Sequence, residues 1–309
     1  MKENIKDILI IWTWPAWLSA AVYAKRYELD IEIVWEVFWW TVTKTHLIEN
    51  WPWTNSISWF ELWMNLVNHA KNLWVEVKAK KIENIEEKIL ESWEKIFIST
   101  DLNWEKFLSK TIIFATWTHH RKLWIETEEK YINKWVSYCA TCDWAFFRWK
   151  DVAIVWWSDS AVKESLLLTQ YAKKVYLIYR WEKPRAEPIN LKRMQEKIDE
   201  WKIEIVNNSN ISEIFWENSV EWVKLDTWKT LNLEWIFVEI WSLPNSELAK
   251  NVWVELNQKW EIITDKFWKT NIEWFFAAWD IVNNPFKQAI VSASEGAHCA
   301  NQAFEFVGK

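Results

Sequence analysis

Two cysteines stand three residues apart at Cys139-Ala140-Thr141-Cys142, with Asp143 directly after the second. Thiols at that spacing can close a small-loop disulfide, and the low thiol pKa of such pairs favours exchange. Asp143 has the chemistry of a general acid that donates the proton a leaving thiolate needs. It also suits a helix N-cap before "WAFFR", and the two roles are compatible. The rival chemistry is half of a zinc site. The chain has no second Cys-x-x-Cys, and His298 and Cys299 lie far along it. Redox exchange is therefore the favoured reading, and no metal is expected. Cys299 has no partner at motif spacing and reads as a small buried hydrophobe. His119 and His120 are expected in a polar loop with no ligand role.

A second chemistry hides in the stretch Ile10 to Ala21, "IIWTWPAWLSAA", where three tryptophans stand at the spacing a nucleotide-binding turn reserves for glycine. The 309 residues include 32 Trp and 2 Gly, where a chain of this length usually holds about 22 glycines. The tryptophans follow neither a helical nor a strand period. They follow strands and close turns. Trp12, Trp14 and Trp17 come after "DILII", Trp156 and Trp157 after "DVAIV", and Trp117, Trp241 and Trp279 end "TIIFAT", "IFVEI" and "FFAA". Trp260 closes "NQKW" between two strand-like runs. Such positions favour glycine, because a side chain with a Cβ is strained there. An aromatic binding surface would need the indoles grouped on faces, and a designed or scrambled variant is a further alternative. A gene in which UGA means glycine, translated as though it meant tryptophan, accounts for both counts and positions at once. Trp51 in "ENWPW" is the leading candidate for a genuine tryptophan.

With glycine read for tryptophan, the first segment becomes strand, G-x-G-x-x-G and helix. A second strand, "DIEIVWE", ends at Glu36, 19 residues past Trp17. The glycines permit the tight turn, the approach of a pyrophosphate and close helix packing, and a carboxylate about 20 residues on can bond ribose hydroxyls. The pyrophosphate then meets the helix N-terminus. The segment Asp151 to Arg180 repeats the plan with strand "DVAIV", turn "WWSDSA", helix "VKESLLLTQYA" and strand "KVYLIYR". Arg180 stands 19 positions past Ala161, where an arginine suits a 2′-phosphate, and Arg185 is a second candidate contact. An isolated arginine would read as a surface cation. The matched spacing favours the cofactor.

The net charge of −6 argues against a nucleic-acid partner or a polybasic membrane patch. The apolar run Ile8 to Ala24 is interrupted by Pro15 and preceded by Lys6 and Asp7, so it reads as a buried strand and helix, with no membrane span. A cytoplasmic location is the default. The charged run Lys80 to Lys95 reads as a solvated strand pair or helix.

These residues carry a resemblance to bacterial-type thioredoxin reductase over nearly the whole chain. The matching stretches are "IIWTWPAWLSAAVYA", "ENWPW", "TIIFATW", "CATCDWAFF", "VAIVWWSDSAVKE", "YRWEKPRAE", "IWSLPNSEL", and "FFAAWDI" followed by "KQAIVSASEGAH". The resemblance implies an α/β fold of two Rossmann-like, three-layer domains, the second inserted in the first. Residues 1–117 and 242–309 would bind FAD, and residues 118–241 would bind NADPH and carry the cysteines. Trp12, Thr13, Trp14, Pro15, Ala16, Trp17, Glu36, Asn50, Asp280, Gln288 and Ala289 would line the FAD. Trp156, Trp157, Ser158, Asp159, Ser160, Ala161, Arg180 and Arg185 would meet NADPH. The family pattern further implies a homodimer, a thioredoxin partner, Cys142 as the flavin-side thiolate and Cys139 as the interchange thiol.

Two departures stand out. The family's His-Arg-Arg-x-x-x-Arg cluster reads "YRWEKPR" here, with Tyr179 for the histidine and Trp181 for the second arginine. Taken literally, the tryptophans would block both nucleotide turns, so the all-tryptophan chain is expected to bind neither cofactor and to be inactive. The alternatives are a related flavin disulfide reductase with another electron donor or a peroxiredoxin-system partner, and a non-enzymatic, tryptophan-rich binding protein.

Overall fold

The computed structural model describes residues 4–12, 15–35, 48–116, 118–120, 123, 125, 128, 135–137, 146–156, 159–216, 220–239 and 242–308. The chain divides into two compact units. One comprises Met1–Trp39, Ile48–His119 and Leu243–Lys309, and the other Trp40–Leu47 and His120–Ser242. In chain order, the first unit begins with β1 (Lys6–Trp12), α1 (Ala16–Arg26), β2 (Ile31–Trp35), α2 (Trp59–Asn72), β3 (Lys78–Ala79), β4 (Ile82–Ile89), β5 (Lys95–Asp101) and β6 (Lys106–Ala115). After β7 (Thr118–His120) come β8 (Val136–Ser137), β9 (Asp151–Trp156), α3 (Asp159–Leu168), β10 (Lys174–Ile178), α4 (Pro188–Asp199), β11 (Ile203–Val206), β12 (Ile211–Trp216), β13 (Val220–Leu225), β14 (Thr230–Asn232) and β15 (Trp235–Glu239). The chain then continues through β16 (Ser242–Pro244), α5 (Glu247–Lys250), β17 (Phe275–Ala277) and α6 (Ala289–Val307).

The first sheet runs β3-β2-β1-β6-β5-β4, with β17 also on β6. Strand β6 changes partner along its length. Its Lys106–Ser109 end pairs antiparallel with β5, and Ile112–Phe114 takes β17 in parallel. The central strand β1 is parallel to both β2 and β6. Its side chains alternate between two cores, Ile8 and Ile10 in one and Leu9 and Ile11 in the other. That is why "DILII" is apolar without interruption, as a strand covered on both faces must be. Helix α1 buries Ala16, Trp17, Leu18, Ala20, Ala21 and Ala24. It crosses α6 so closely that a Cβ on Gly296 would stand 1.8 Å from the Ala16 carbonyl oxygen.

In the second unit the order is β11-β10-β9-β15-β8, all parallel. A three-stranded antiparallel sheet, β12-β13-β14, shares its core. The architecture is thus the mixed α/β one with two Rossmann-like units. One expectation fails. The loop expected at His119 and His120 is strand β7, which pairs with β16, so backbone hydrogen bonding to a second segment orders a stretch too short to show any period. Cys299 is fully buried, as its sequence context implied, and Lys80 to Lys95 lies largely in the antiparallel β4–β5 pair.

Fourteen described non-glycine residues have positive φ, and twelve of them are tryptophan: Trp53, Trp74, Trp93, Trp104, Trp149, Trp201, Trp228, Trp253, Trp260, Trp268, Trp274 and Trp279, with φ from 58° to 80°. Left-handed backbone is natural for glycine and strained for a bulky side chain. Trp74 and Trp201 stand two residues past α2 and α4, the position where helices most often end on glycine. The N–H groups of Trp93, Trp104, Trp228 and Trp260 close tight turns onto the carbonyls of Leu90, Asp101, Leu225 and Asn257. Nine of these indoles project outward, and those of Trp268, Trp274 and Trp279 pack partly buried against the first unit's core. Trp53 is 93% exposed and Trp93 89%. Trp51, only two residues from Trp53, has no positive φ and packs partly buried against the first unit's core.

Candidate functional site

The first unit builds its site at the C-terminal end of β1. The chain turns there and starts α1 at Ala16. Pro15 precedes the helix with no side-chain cap, and the first turn carries no acidic residue. The positive end of the helix dipole at that turn favours an anion. Asn50 and Gln288, 238 residues apart in sequence, meet directly. The Asn50 amide donates to Gln288 Oε1 at 2.8 Å. Gln288 is the extended N-cap residue of α6, and Ala289 is that helix's first residue.

Asp280 follows β17 and the positive-φ turn at Trp279. Its packed surroundings push its carboxyl up to about 6, with Glu295 adding to the rise and Lys287 opposing it. Glu295 is a buried carboxylate on α6 that clamps this loop. It accepts the Trp279 N–H and the Asn284 amide, each at 2.7 Å. Lys287 donates to the Asp280 carbonyl at 3.0 Å and pairs with Glu261 at 2.9 Å. Lys287 and Glu295 lie in the family-like stretch "KQAIVSASEGAH" and Asn284 just before it, but only the fold shows that they shape the Asp280 loop.

The second unit repeats the plan with different chemistry. Asp159 opens α3, but its carboxylate is engaged by the protein itself. It accepts the Glu187 N–H at 2.9 Å and the Asn190 amide at 3.0 Å, and pairs with Lys163 at 2.6 Å. Burial works against its charge, yet the Lys163 ammonium and these donors outweigh burial and hold it below the usual carboxylate range. Asp159 thereby ties α3 to the start of α4. Ser160 is exposed on the first turn, and Ala161 is buried beneath it. Past the end of β10, Tyr179 is buried while Arg180 and Arg185 reach solvent. The Arg180 guanidinium lies 3.8 Å from the Trp181 ring centroid and that of Arg185 lies 6.0 Å from the same centroid, so one ring gathers both charges.

Thr13, Trp14, Glu36, Cys139, Cys142, Asp143, Trp157 and Ser158 lie outside the described residues, as do the side chains of Trp12 and Trp156. Among the described residues, no group of His, Cys, Asp and Glu could hold a metal ion, and no helix is long and apolar enough to cross a membrane.

Two units, each with a strand between parallel neighbours that leads to a helix N-terminus, have the plan of a dinucleotide-binding α/β protein. The profile of the pyridine nucleotide-disulphide oxidoreductases matches residues 6–296, and the chain belongs to that family. It is 31% identical over 316 residues to the "34.2 kDa protein in rubredoxin operon" of Clostridium pasteurianum, covering 100% of this chain and 99% of that one. It is 32% identical over 310 residues to an alkyl hydroperoxide reductase component of Staphylococcus aureus, covering 97% of this chain and 59% of the relative. Among solved structures, thioredoxin reductase of Lactococcus lactis in its FR conformation superposes with a TM-score of 0.90 at 31% identity, covering 98% of this chain and 99% of that one. Thioredoxin reductases of this family use FAD and NADPH.

Proposed function

We propose that the chain is an NADPH-dependent thioredoxin-disulfide reductase. The supporting observation is its likeness, over nearly its whole length, to the Lactococcus lactis thioredoxin reductase, combined with Cys139-Ala-Thr-Cys142 in the sequence. The first unit binds FAD through the turn Trp12–Trp17, Glu36, Asn50, Asp280, Gln288 and Ala289. The uncapped α1 and the Asn50–Gln288 pair fit such a ligand. The second unit takes NADPH through Trp156–Ala161, Arg180 and Arg185, two exposed arginines on the segment after β10 whose guanidiniums suit a phosphomonoester. Bound FAD supplies the relay of two electrons from the nicotinamide to the disulfide.

The chain's own residues do the rest. Opening of the Cys139–Cys142 bond leaves Cys142 as the flavin-side thiolate. The Cys139 thiolate then attacks the partner's disulfide, forming a mixed disulfide and expelling one partner thiolate, which Asp143 protonates. Attack of Cys142 on Cys139 Sγ releases the second partner thiol and restores the internal disulfide. The enzyme works as a homodimer in the cytoplasm. In Cys139→Ser, NADPH is expected still to bleach the flavin while thioredoxin reduction is abolished, as followed by anaerobic absorbance and by thiol release. Undiminished thioredoxin reduction would sink the assignment. The alkyl hydroperoxide reductase relative favours a second reading, in which the acceptor belongs to a peroxiredoxin system. The same assay with each acceptor separates the two.

This reading carries a second one. We infer that the native chain bears glycine at most of its tryptophan positions, its UGA codons specifying glycine. The twelve positive-φ tryptophans support it, each costing about 1–3 kcal/mol of strain if literal. Mass spectrometry of the native tryptic peptides "DVAIVWWSDSAVK" and "WVSYCATCDWAFFR" is expected to give glycine at Trp135, Trp144, Trp156 and Trp157. Tryptophan masses would overturn the reading and leave the nucleotide turns blocked.

A further inference from the structure

The segment that follows β10 is pinned at both ends and once in its middle. At its start, Tyr179 extends the β10–β11 pairing. Its N–H donates to the Val206 carbonyl at 2.9 Å, and its own carbonyl accepts the Ser209 N–H at 3.1 Å. The Trp181 carbonyl accepts the Asn208 N–H at 3.2 Å. At the far end, the Glu187 N–H is held by Asp159. Between these anchors lies Arg185, whose backbone N–H donates to the Tyr179 hydroxyl at 3.1 Å. That phenol is 1% exposed, so the loop folds back over a ring fixed in the core beneath it.

We propose that Tyr179 is the positioning residue that sets the selectivity for NADPH over NADH. Its buried hydroxyl fixes the Arg185 backbone and so holds the second guanidinium beside the first for a 2′-phosphate. The inference rests on the NADPH reading above and deepens it. Its logic is geometric. A long arginine side chain loses considerable rotamer entropy when it closes on an anion, and a backbone fixed in advance lowers that cost. Two charges that must meet one phosphate need their backbones spaced, and the chain from 180 to 185 contains Trp181, a glycine in the native reading, which would add freedom rather than remove it. The stacking of both guanidiniums on the Trp181 ring disappears with that ring. The Tyr179 tether does not, because it joins a core side chain to a backbone N–H and uses no atom of residue 181, although the Trp181 ring centroid also lies 6.2 Å from that of Tyr179.

The test uses the glycine-bearing flavoprotein and its Tyr179→Phe variant, which keeps the buried ring and deletes only the hydroxyl. Calorimetric titration with adenosine 2′,5′-bisphosphate and with adenosine 5′-monophosphate gives a readout independent of turnover. The expected result is bisphosphate binding weakened about 2- to 10-fold, the range for one lost hydrogen bond, with monophosphate binding unchanged. In the steady state, KM for NADPH rises by the same factor while kcat and KM for NADH stay put. Equal weakening of both nucleotides would make Tyr179 merely structural and overturn the inference, as would unchanged bisphosphate binding. A parent protein that binds bisphosphate no better than monophosphate would overturn the NADPH reading itself, and the inference with it.

Discussion

The two strand–turn–helix segments share a backbone and differ in what their ends offer. In the first unit, α1 opens with no side-chain cap and no acid, and the amides of Asn50 and Gln288 pair with each other. In the second, α3 opens on Asp159, whose carboxylate is already taken by Lys163, Glu187 and Asn190, and the strand after it leads to Arg180 and Arg185. The parallel sheet and the helix N-terminus supply what any dinucleotide needs. The residues one strand further on decide which one. Discrimination therefore resides in very few side chains, and the two units should fail separately.

Arg180→Ala is the most severe way to test that separation. Losing a charge-assisted contact to phosphate is expected to raise KM for NADPH about 10- to 100-fold, with KM for NADH and flavin content unchanged. An equal loss with NADH would mean that the arginine holds the loop rather than the phosphate. The reciprocal change, Asn50→Ala, is expected to weaken FAD binding about 2- to 10-fold in a fluorescence titration of the apoprotein and to leave pyridine-nucleotide KM values alone. The smallest effect is a slope with pH. Asp280 titrates at about 6 in the folded chain against an ordinary 3.8, so the folded state holds a proton that the unfolded state releases. Stability on this account is highest below about 4 and falls as pH rises through about 6. Asp280→Asn is expected to remove that slope in denaturant titrations of the apoprotein. A slope that survives would place the titration elsewhere.

Much of this was legible in the sequence because the relevant signals are local. "DILII" and "DVAIV" are apolar without alternation, which is what strands covered on both faces require, and both pair with parallel neighbours on each side. The tryptophan at the end of "NQKW" read as a positive-φ turn, and Trp260 has φ 65°. Asn50 and Gln288 could be assigned to one ligand only by family pattern. Nothing in their spacing says that they touch, and the fold alone brings them to 2.8 Å. Lys287 and Glu295 stood in a family-like stretch and Tyr179 was a noted departure, but what they hold was silent for the same reason, since each acts on a backbone group that no side-chain pattern reports. His119 and His120 were misread because a three-residue strand offers no period to read.

The crossing of α1 with α6 also bears on when this protein can take shape during its synthesis. The start of α1 is closed by Gly296, and β6 takes β17 as a late neighbour, so the earliest nucleotide turn waits for residues as distant as 296 to leave the ribosome. The second unit lies almost wholly within one uninterrupted stretch and can fold while the rest is still being made. A nascent chain stalled before residue 275 would hold one finished unit and, ahead of it, a half-built sheet whose long-range contacts do not yet exist.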